Sequence, residues 1–370
     1  MIYQYNKRER FSMNEKKDIK EINYIKAFAM FSVLILHLSI PEEYSKKYIL
    51  SLYTVIGVPI FMIITGHNYM LSYEKSNIYL KKWFDWENLY KKLKRVLFPY
   101  IYIILAEIIV VFIKNDFLEY RSIKSILFFC IKGGTGPGSF YGPTLIQIIL
   151  FYFPILLFFN IHIIKINKER YRAIYSLIIV FIFEFLYEIF INYMKDIYSE
   201  ILVQQIYRMI AMRHVVFLQA GIILYYYKEK ILKNFIKIIP FSIVGAIYIY
   251  MVDCKGYVLF PYYYWKEVAT PMVFYALFII IIILKYFKNI DKNFFEGIIN
   301  TIGKASYHIF LIQMLYFGML RIVIFNNGLD YILDLTICVS IGIIYYYIEP
   351  KITKNLDFFM NKLVKKFRNK

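Results

Sequence analysis

The stretch INYIKAFAMFSVLILHLSI, Ile22 to Ile40, is almost wholly apolar and long enough to cross the hydrocarbon core of a bilayer, yet it carries Lys26 and His37. The rest of the chain decides between a membrane span and the buried helix of a soluble protein. Of its 370 residues 60% are hydrophobic and only 19% are charged, too few to cover a soluble domain of this length. Nine further apolar runs follow, at roughly 49–72, 97–113, 141–160, 173–191, 210–227, 238–252, 268–284, 303–324 and 331–349. Runs of this length predict an all-α, polytopic transmembrane helix bundle of about ten spans. The piece SIKSILFFCI, 122–131, is too short to span and reads as interfacial or re-entrant. The first run lacks a small-residue cleavage site and is expected to stay as the first helix rather than leave as a signal peptide.

The net charge of +19 raises the question of nucleic acid. The lysines lie between apolar runs, so membrane topology and anionic lipid account for them better. With the N-terminus in the cytosol, 31 of the 45 Lys and Arg residues fall on inside segments and 10 outside, and four (Lys26, Arg213, Lys304, Arg321) fall within spans. That excess follows the positive-inside rule and predicts both termini cytosolic. The organisation expected is a basic N-terminal segment over 1–21, a membrane domain over 22–349 and a basic tail over 350–370, in a multi-pass protein of a cell membrane, bacterial plasma membrane being the expectation. Cys130, Cys254 and Cys338 stand far apart, which argues against a disulfide framework and a structural metal site. No Walker-type loop and no metal-ligand spacing is present. The outer connection 114–140 ends in KGGTGPGSFYGP, too rich in glycine and proline for a helix interior. It either shapes an entrance at the membrane face or simply connects two spans.

Eleven residues separate Lys26 from His37. On a helix that leaves them about 20° apart in direction and ~16 Å apart along the axis. One face thus carries a cation near the inner edge and an imidazole in the outer half of the bilayer. A lysine near a helix end can snorkel to the interface. An imidazole deep in a span usually faces a bundle interior or a watery cavity and marks a functional position, the alternative being a hydrogen bond between helices.

INYIKAFAMFSVLILH resembles the first-helix signature of the acyltransferase-3 family of membrane O-acyltransferases, a basic residue followed eleven positions later by histidine. GVPIFMIITG (Gly57–Gly66), KKLKRVLFPY (Lys91–Tyr100) and IGKASYHIFLIQ (Ile302–Gln313) resemble further family stretches in the same order, and RHVVFLQAG (Arg213–Gly221) and IEP (Ile348–Pro350) resemble others more weakly. The chain departs from the family at Asn23, where aspartate is frequent, at Lys26, where arginine is, at Thr65, where serine is commoner, and at Gln313, where many relatives have histidine. In the basic run lysines surround a single Arg95, and lysine keeps the charge but loses the bidentate fork for phosphate.

The resemblance implies transfer of an acyl group, usually acetyl from acetyl-CoA, to a hydroxyl of a surface glycan or lipid-linked sugar. No metal and no nucleic acid is expected. His37 would be the general base, since an alcohol needs its proton removed as it attacks the thioester. Lys26, Lys92, Lys94 and Arg95 would meet the donor's phosphates, although topology alone would also place basic residues at 91–95. Glu184 and Glu188 share one face of the fifth span. They either orient a base, bind a sugar or pair with Arg213 across helices. Arg213 and His214 open the sixth span, where they would line an acceptor site or rest at the interface. His67 and His162 are expected near the inner interface. A second class of function, a carrier, flippase or export component for a polysaccharide or lipid-linked saccharide, fits the composition equally well and would be favoured by inverted repeats, of which none is evident.

Overall fold

The computed structural model describes residues 2–75, 83–114, 123–163, 169–257, 269–287, 294–325 and 328–368; residues 115–122 of the 114–140 connection, the His162 side chain and the final Asn369–Lys370 pair lie outside them. The described residues are all-helical, without a strand. α1 runs from Ile2 to His37, so the basic N-terminal segment continues the first span as one helix. Short helices α2 (Glu42–Lys47) and α3 (Ser51–Thr54) lead into α4 (Gly57–Lys75). α5 (Trp86–Ile113) and α6 (Ile123–Lys132) precede α7 (Tyr141–Gln147), which passes through a π-turn at Ile148–Tyr152 into α8 (Phe153–Ile163). Next come α9 (Glu169–Ile197), α10 (Glu200–Met209), a 3-10 turn at Ala211–His214 and α11 (Val215–Lys233). α12 (Ile239–Ile249), α13 (Met272–Tyr286), α14 (Phe294–Leu315) and α15 (Gly328–Arg368) complete the order, the last carrying the basic tail as a helical continuation.

Among the described residues six helical stretches are long and apolar enough to cross a membrane: Ser51–Glu74, Trp86–Ile113, Tyr141–Asn160, Tyr175–Ile197, Phe235–Cys254 and Gly328–Lys354. The pair Glu200–Met209 and Ala211–Lys233, bent by 52° at its break, makes a seventh if read as one span. α13 is apolar but shorter, and α1 and α14 carry more polar residues. The seventh apolar run is longer than its sequence boundaries suggest, because 3-10 and π turns extend α12 at both ends to Phe235–Cys254.

The chain divides into two compact units, the first Met1–Lys92 with Pro143–Lys304, the second Leu93–Gly142 with Ala305–Lys370. In the first unit the α4–α11 contact is the tightest. Gly66 lies against the Leu218 backbone and Gly221 against Ile63 O and His67 N, so a Cβ on either glycine would collide with main chain. These two helices run parallel, with Tyr225 donating to Glu74 at their C-terminal ends. α1 runs the other way: Ala29 and Val33 meet Gly57 at the start of α4, while Glu21 pairs with Lys228 at the end of α11. α14 begins parallel to α1, tied by Lys20–Glu296 at 2.7 Å and Asn23–Asn300 at 2.7 Å, with Gly303 closing on the Asn23 backbone. α7–α8 is parallel to α11, since Gln147 bonds Met209 and Asn160 bonds Gln219. α9 is antiparallel to it, since Ser176 also meets Gln219 while Glu188 meets Tyr207. α12 and α13 are antiparallel, with Phe241 against Phe274 and Gly245 against Pro271.

The second unit centres on the later part of α14. α5 runs parallel to it, with the Tyr307 hydroxyl bonded to Val96 O at 3.0 Å and Lys114 reaching Met319 O. α15 runs antiparallel, with Tyr316 on Asp334 and Gly342 against Ile309. Pro99 removes one helical N–H inside α5, and its carbonyl accepts the Tyr345 hydroxyl at 2.7 Å. α6 stops where Gly133 and Gly134 take φ of +101° and +97°, both returning their N–H to Phe129 O, and the chain stays irregular through 133–140.

Candidate active site

His37 is the last residue of α1 and is partly buried. Lys26, partly buried as well, lies beyond an ion-pair layer at the opposite end of the first unit, where Lys20 meets Glu296 and Glu21 meets Lys228. The face between them points inward. Ala29, Met30 and Val33 are sealed within the bundle, whereas Phe31 and Leu36 are the exposed positions of this segment. The Lys26–His37 stripe therefore faces protein, with its two polar side chains the accessible points on an otherwise closed surface.

The basic run has a mixed setting. Lys91 pairs with Glu87 one turn earlier at 2.8 Å. Lys92 sits 4.0 Å above the ring of Trp83, itself fully buried against Tyr69 and Phe153. That contact anchors Lys92 structurally, a role that neither charge nor spacing reveals. Lys94 is partly buried and Arg95 exposed, both on the first turns of α5. Lys26 and His37 belong to the first unit, and Lys94 and Arg95 to the second.

The structure gathers the remaining residues. Glu184 and Glu188 project from α9 into the first unit, 0% and 1% exposed, while Ile182, Phe183, Leu186, Ile189 and Phe190 around them face outward. Glu188 accepts the Tyr207 hydroxyl at 2.8 Å, and Glu184 accepts that of Thr270 at 2.7 Å. Arg213 lies with its guanidinium 5.4 Å from the Tyr207 ring, donates from Nε to His214 Nε2 at 3.2 Å, and is close enough to couple electrostatically to Glu188. Tyr187 stacks on Tyr207 at 5.9 Å. The break at Ile210, between amphipathic α10 and α11, puts Tyr207 and Arg213 on the same cluster. By helix direction this cluster lies toward the end of the first unit where α4 and α11 begin and α1 finishes, the end that also holds His37.

Tyr207 and Thr270 escaped sequence reading, since each reaches its carboxylate from another element. Arg213 and His214 are fully buried rather than interfacial, because the 3-10 turn directs them into the bundle. His67, expected near the inner interface, is instead buried between α4 and α11 with its ring edge on Tyr225 at 5.6 Å. The second unit adds further polar groups: Glu107 against the glycine loop, His308 beside Glu349 at 3.6 Å, and partly buried Arg321 on Asp334 at 2.9 Å. Among the described residues no group of three His, Cys, Asp or Glu side chains is arranged to hold a metal ion.

Comparison with the curated proteins and with the solved structures gives no match. A family model described as an acyltransferase domain matches residues 19–348, spanning every element from the latter half of α1 to the membrane part of α15. The inward stripe of α1, the close glycine contacts of α4 with α1 and α11, and the stapled proline of α5 all fall within that match, and the chain belongs to the acyltransferase-3 family of membrane acyltransferases.

Proposed function

We propose that this acyltransferase moves an acetyl group from cytosolic acetyl-CoA to a hydroxyl of a cell-surface polysaccharide or lipid-linked sugar, across a bilayer that it spans ten times with both termini in the cytosol. The observation that carries the reading is the inward stripe of α1, with Lys26 toward one end of the bundle and His37 at the other, inside a chain matched by the family over 19–348. The span count draws support from helix direction. In the first unit the first, second, fourth, fifth, sixth and ninth apolar segments alternate as odd and even crossings of one membrane must.

In this reading the donor's phosphates bind at the cytosolic mouth of the first unit near Lys26. Lys92, held on Trp83, contributes its charge from a fixed position. The pantetheine arm carries the thioester inward along the stripe, a distance of ~16 Å between the two residues. His37 takes the proton of the acceptor hydroxyl as its oxygen attacks the thioester carbonyl. The C–O bond of the new ester forms, the C–S bond breaks, and the imidazolium returns the proton to the leaving thiolate, giving CoA–SH. Glu184, Glu188, Arg213 and His214 form a polar wall toward the acceptor end. The acyl group thus crosses the bilayer without the acceptor entering the cytosol.

The test is transfer from labelled acetyl-CoA to isolated surface glycan by the protein in nanodiscs. His37→Ala is expected to lower kcat by about 10²–10⁴-fold with the fold retained. Undiminished transfer by that variant would remove His37 from the chemistry. A wild type that moves saccharide across a vesicle membrane without consuming acetyl-CoA would replace the enzyme with a transporter.

A further inference from the structure

The irregular segment 133–140 lies deep. Its Thr135 N–H donates to Glu107 Oε2 at 3.2 Å, and Glu107 is six residues, ~9 Å, below the end of α5. Gly136 packs on the Met314 backbone, Gly138 on the Phe310 ring, and Gly142 on Tyr100, whose hydroxyl bonds Cys130 O at 2.8 Å. A non-helical backbone at membrane depth is tolerated only where it is enclosed by protein or lines a polar cavity. Glu107 and Gln313 bracket the loop, and each uses one polar atom to hold it, Glu107 through Oε2 and Gln313 through Nε2, 3.4 Å from Pro137 O. Each then keeps its other oxygen unused. Glu107 Oε1 and Gln313 Oε1 have no hydrogen-bond partner among the described residues, although both side chains are 0% exposed.

Two sealed oxygens without donors are costly in a bilayer and call for a ligand that brings donors. Among the described residues neither oxygen is hydrogen-bonded to a cation, although Lys132 is close enough to act on Glu107 electrostatically, and a carboxyl beside the loop repels an anion, so a phosphate is a poor match. The fit is a neutral group rich in O–H or N–H. Tyr141 and Phe310, both buried with ring centroids 4.9 Å apart, give the same loop an apolar wall, the usual partner of a few placed polar groups in a binding site. Hydroxyls of a sugar ring and the amides of the pantetheine arm share this chemistry. We propose that Glu107, Gln313 and the 133–140 loop form the subsite for sugar hydroxyls of the acceptor, a reading that rests on the acyltransferase function above. The sugar is favoured over the arm because the outer connection 114–140 carries the loop, and the acceptor comes from that face.

Saturation-transfer difference NMR on the protein in nanodiscs, with methyl β-D-glucopyranoside and methyl N-acetyl-β-D-glucosaminide as probes and no acetyl-CoA, tests the site apart from turnover. Wild type is expected to give saturation transfer. Gln313→Leu, and Glu107→Gln, which turns an N–H₂ toward the ligand in place of Oε1, should each weaken binding about tenfold. Gln313→Glu, which keeps an oxygen acceptor, should lose less. The KM for acetyl-CoA, read from its hydrolysis, should change less than twofold in all three. A rise in that KM with saccharide binding unchanged assigns the site to the donor arm and overturns the proposal. Absence of saccharide binding by wild type, or equal binding by all variants with unchanged melting temperatures, overturns it too. If the sugar binds and the variants lose it while wild type never consumes acetyl-CoA, the subsite stands and the enzyme reading falls.

Discussion

One hydroxyl decides how Glu188 is accommodated inside a membrane bundle. Tyr207 and Glu188 are both about 1% exposed, and the bond between them runs from α10 to α9 at 2.8 Å. Side-chain hydrogen bonds in membrane proteins average only about 0.6 kcal/mol, because alternative partners are usually at hand. Here the site is sealed, and losing the hydroxyl removes a donor from a buried carboxyl, which costs more than a bond exchanged with water. We expect Tyr207→Phe and Glu188→Met each to destabilise the protein, and the double variant to cost less than their sum by about 1–2 kcal/mol. Unfolding in mixed detergent, followed by the four members of the cycle, measures it; strict additivity would mean the pair does not act as a unit. The sequence placed Glu184 and Glu188 on one face through their four-residue spacing. It could not name Tyr207 or Thr270, two residues whose distance along the chain carries no signal, and one tyrosine among 38 does not stand out.

Between elements, glycine is the contact. Gly221 on α11 leaves room for Ile63 O and His67 N of α4, and Gly66 returns the favour to the Leu218 backbone. Small residues let membrane helices approach this closely, and van der Waals packing rather than hydrophobicity holds them there. Gly221→Ala must push backbone against backbone, and we expect a loss of about 1–3 kcal/mol. Gly297 is the opposite case. It lies in the first turns of α14 with nothing within 4 Å of an added Cβ. Gly297→Ala should therefore be neutral or gain up to about 1 kcal/mol through helix propensity. Melting temperatures in one detergent compare the two, and a loss at Gly297 equal to that at Gly221 would show that packing is not the cause. At this scale the sequence was informative: apolar runs gave the helices, and the glycine–proline cluster gave the irregular loop. What it hid were the features lacking a hydropathy signature, namely the helical continuation of α1 through the basic segment, the amphipathic α10 before the break at Ile210, and the depth to which the 133–140 loop reaches.

For the whole molecule, direction is the quantity that the ten-span reading must get right. A chain crossing a membrane alternates, so every odd segment shares one direction and every even segment the other. α1 and the start of α14 agree, α4, α7–α8 and α11 oppose them, and α9 opposes α11. Within the second unit α5 agrees with α14 and α15 opposes it. The charge count points the same way, with 31 Lys and Arg on the segments assigned to the cytosol against 10 outside. If the N-terminus is cytosolic, as the positive-inside excess expects, the α1–α3 connection and the turn after α12 face outward and the α11–α12 connection faces inward. The check is single cysteines in a background with Cys130, Cys254 and Cys338 replaced by alanine. Glu43, Lys255 and Asn234 are all exposed, the first two on connections that the proposed topology assigns to the outer face and the third on one that it assigns to the cytosol. A membrane-impermeant maleimide on intact cells should label the first two and reach Asn234→Cys only after permeabilisation. Labelling of Asn234→Cys alone would invert the bundle and put His37 at the cytosolic end. Labelling of Glu43→Cys without Lys255→Cys would mean that a segment between them fails to cross, since an even number of added crossings is what keeps those two connections on one side.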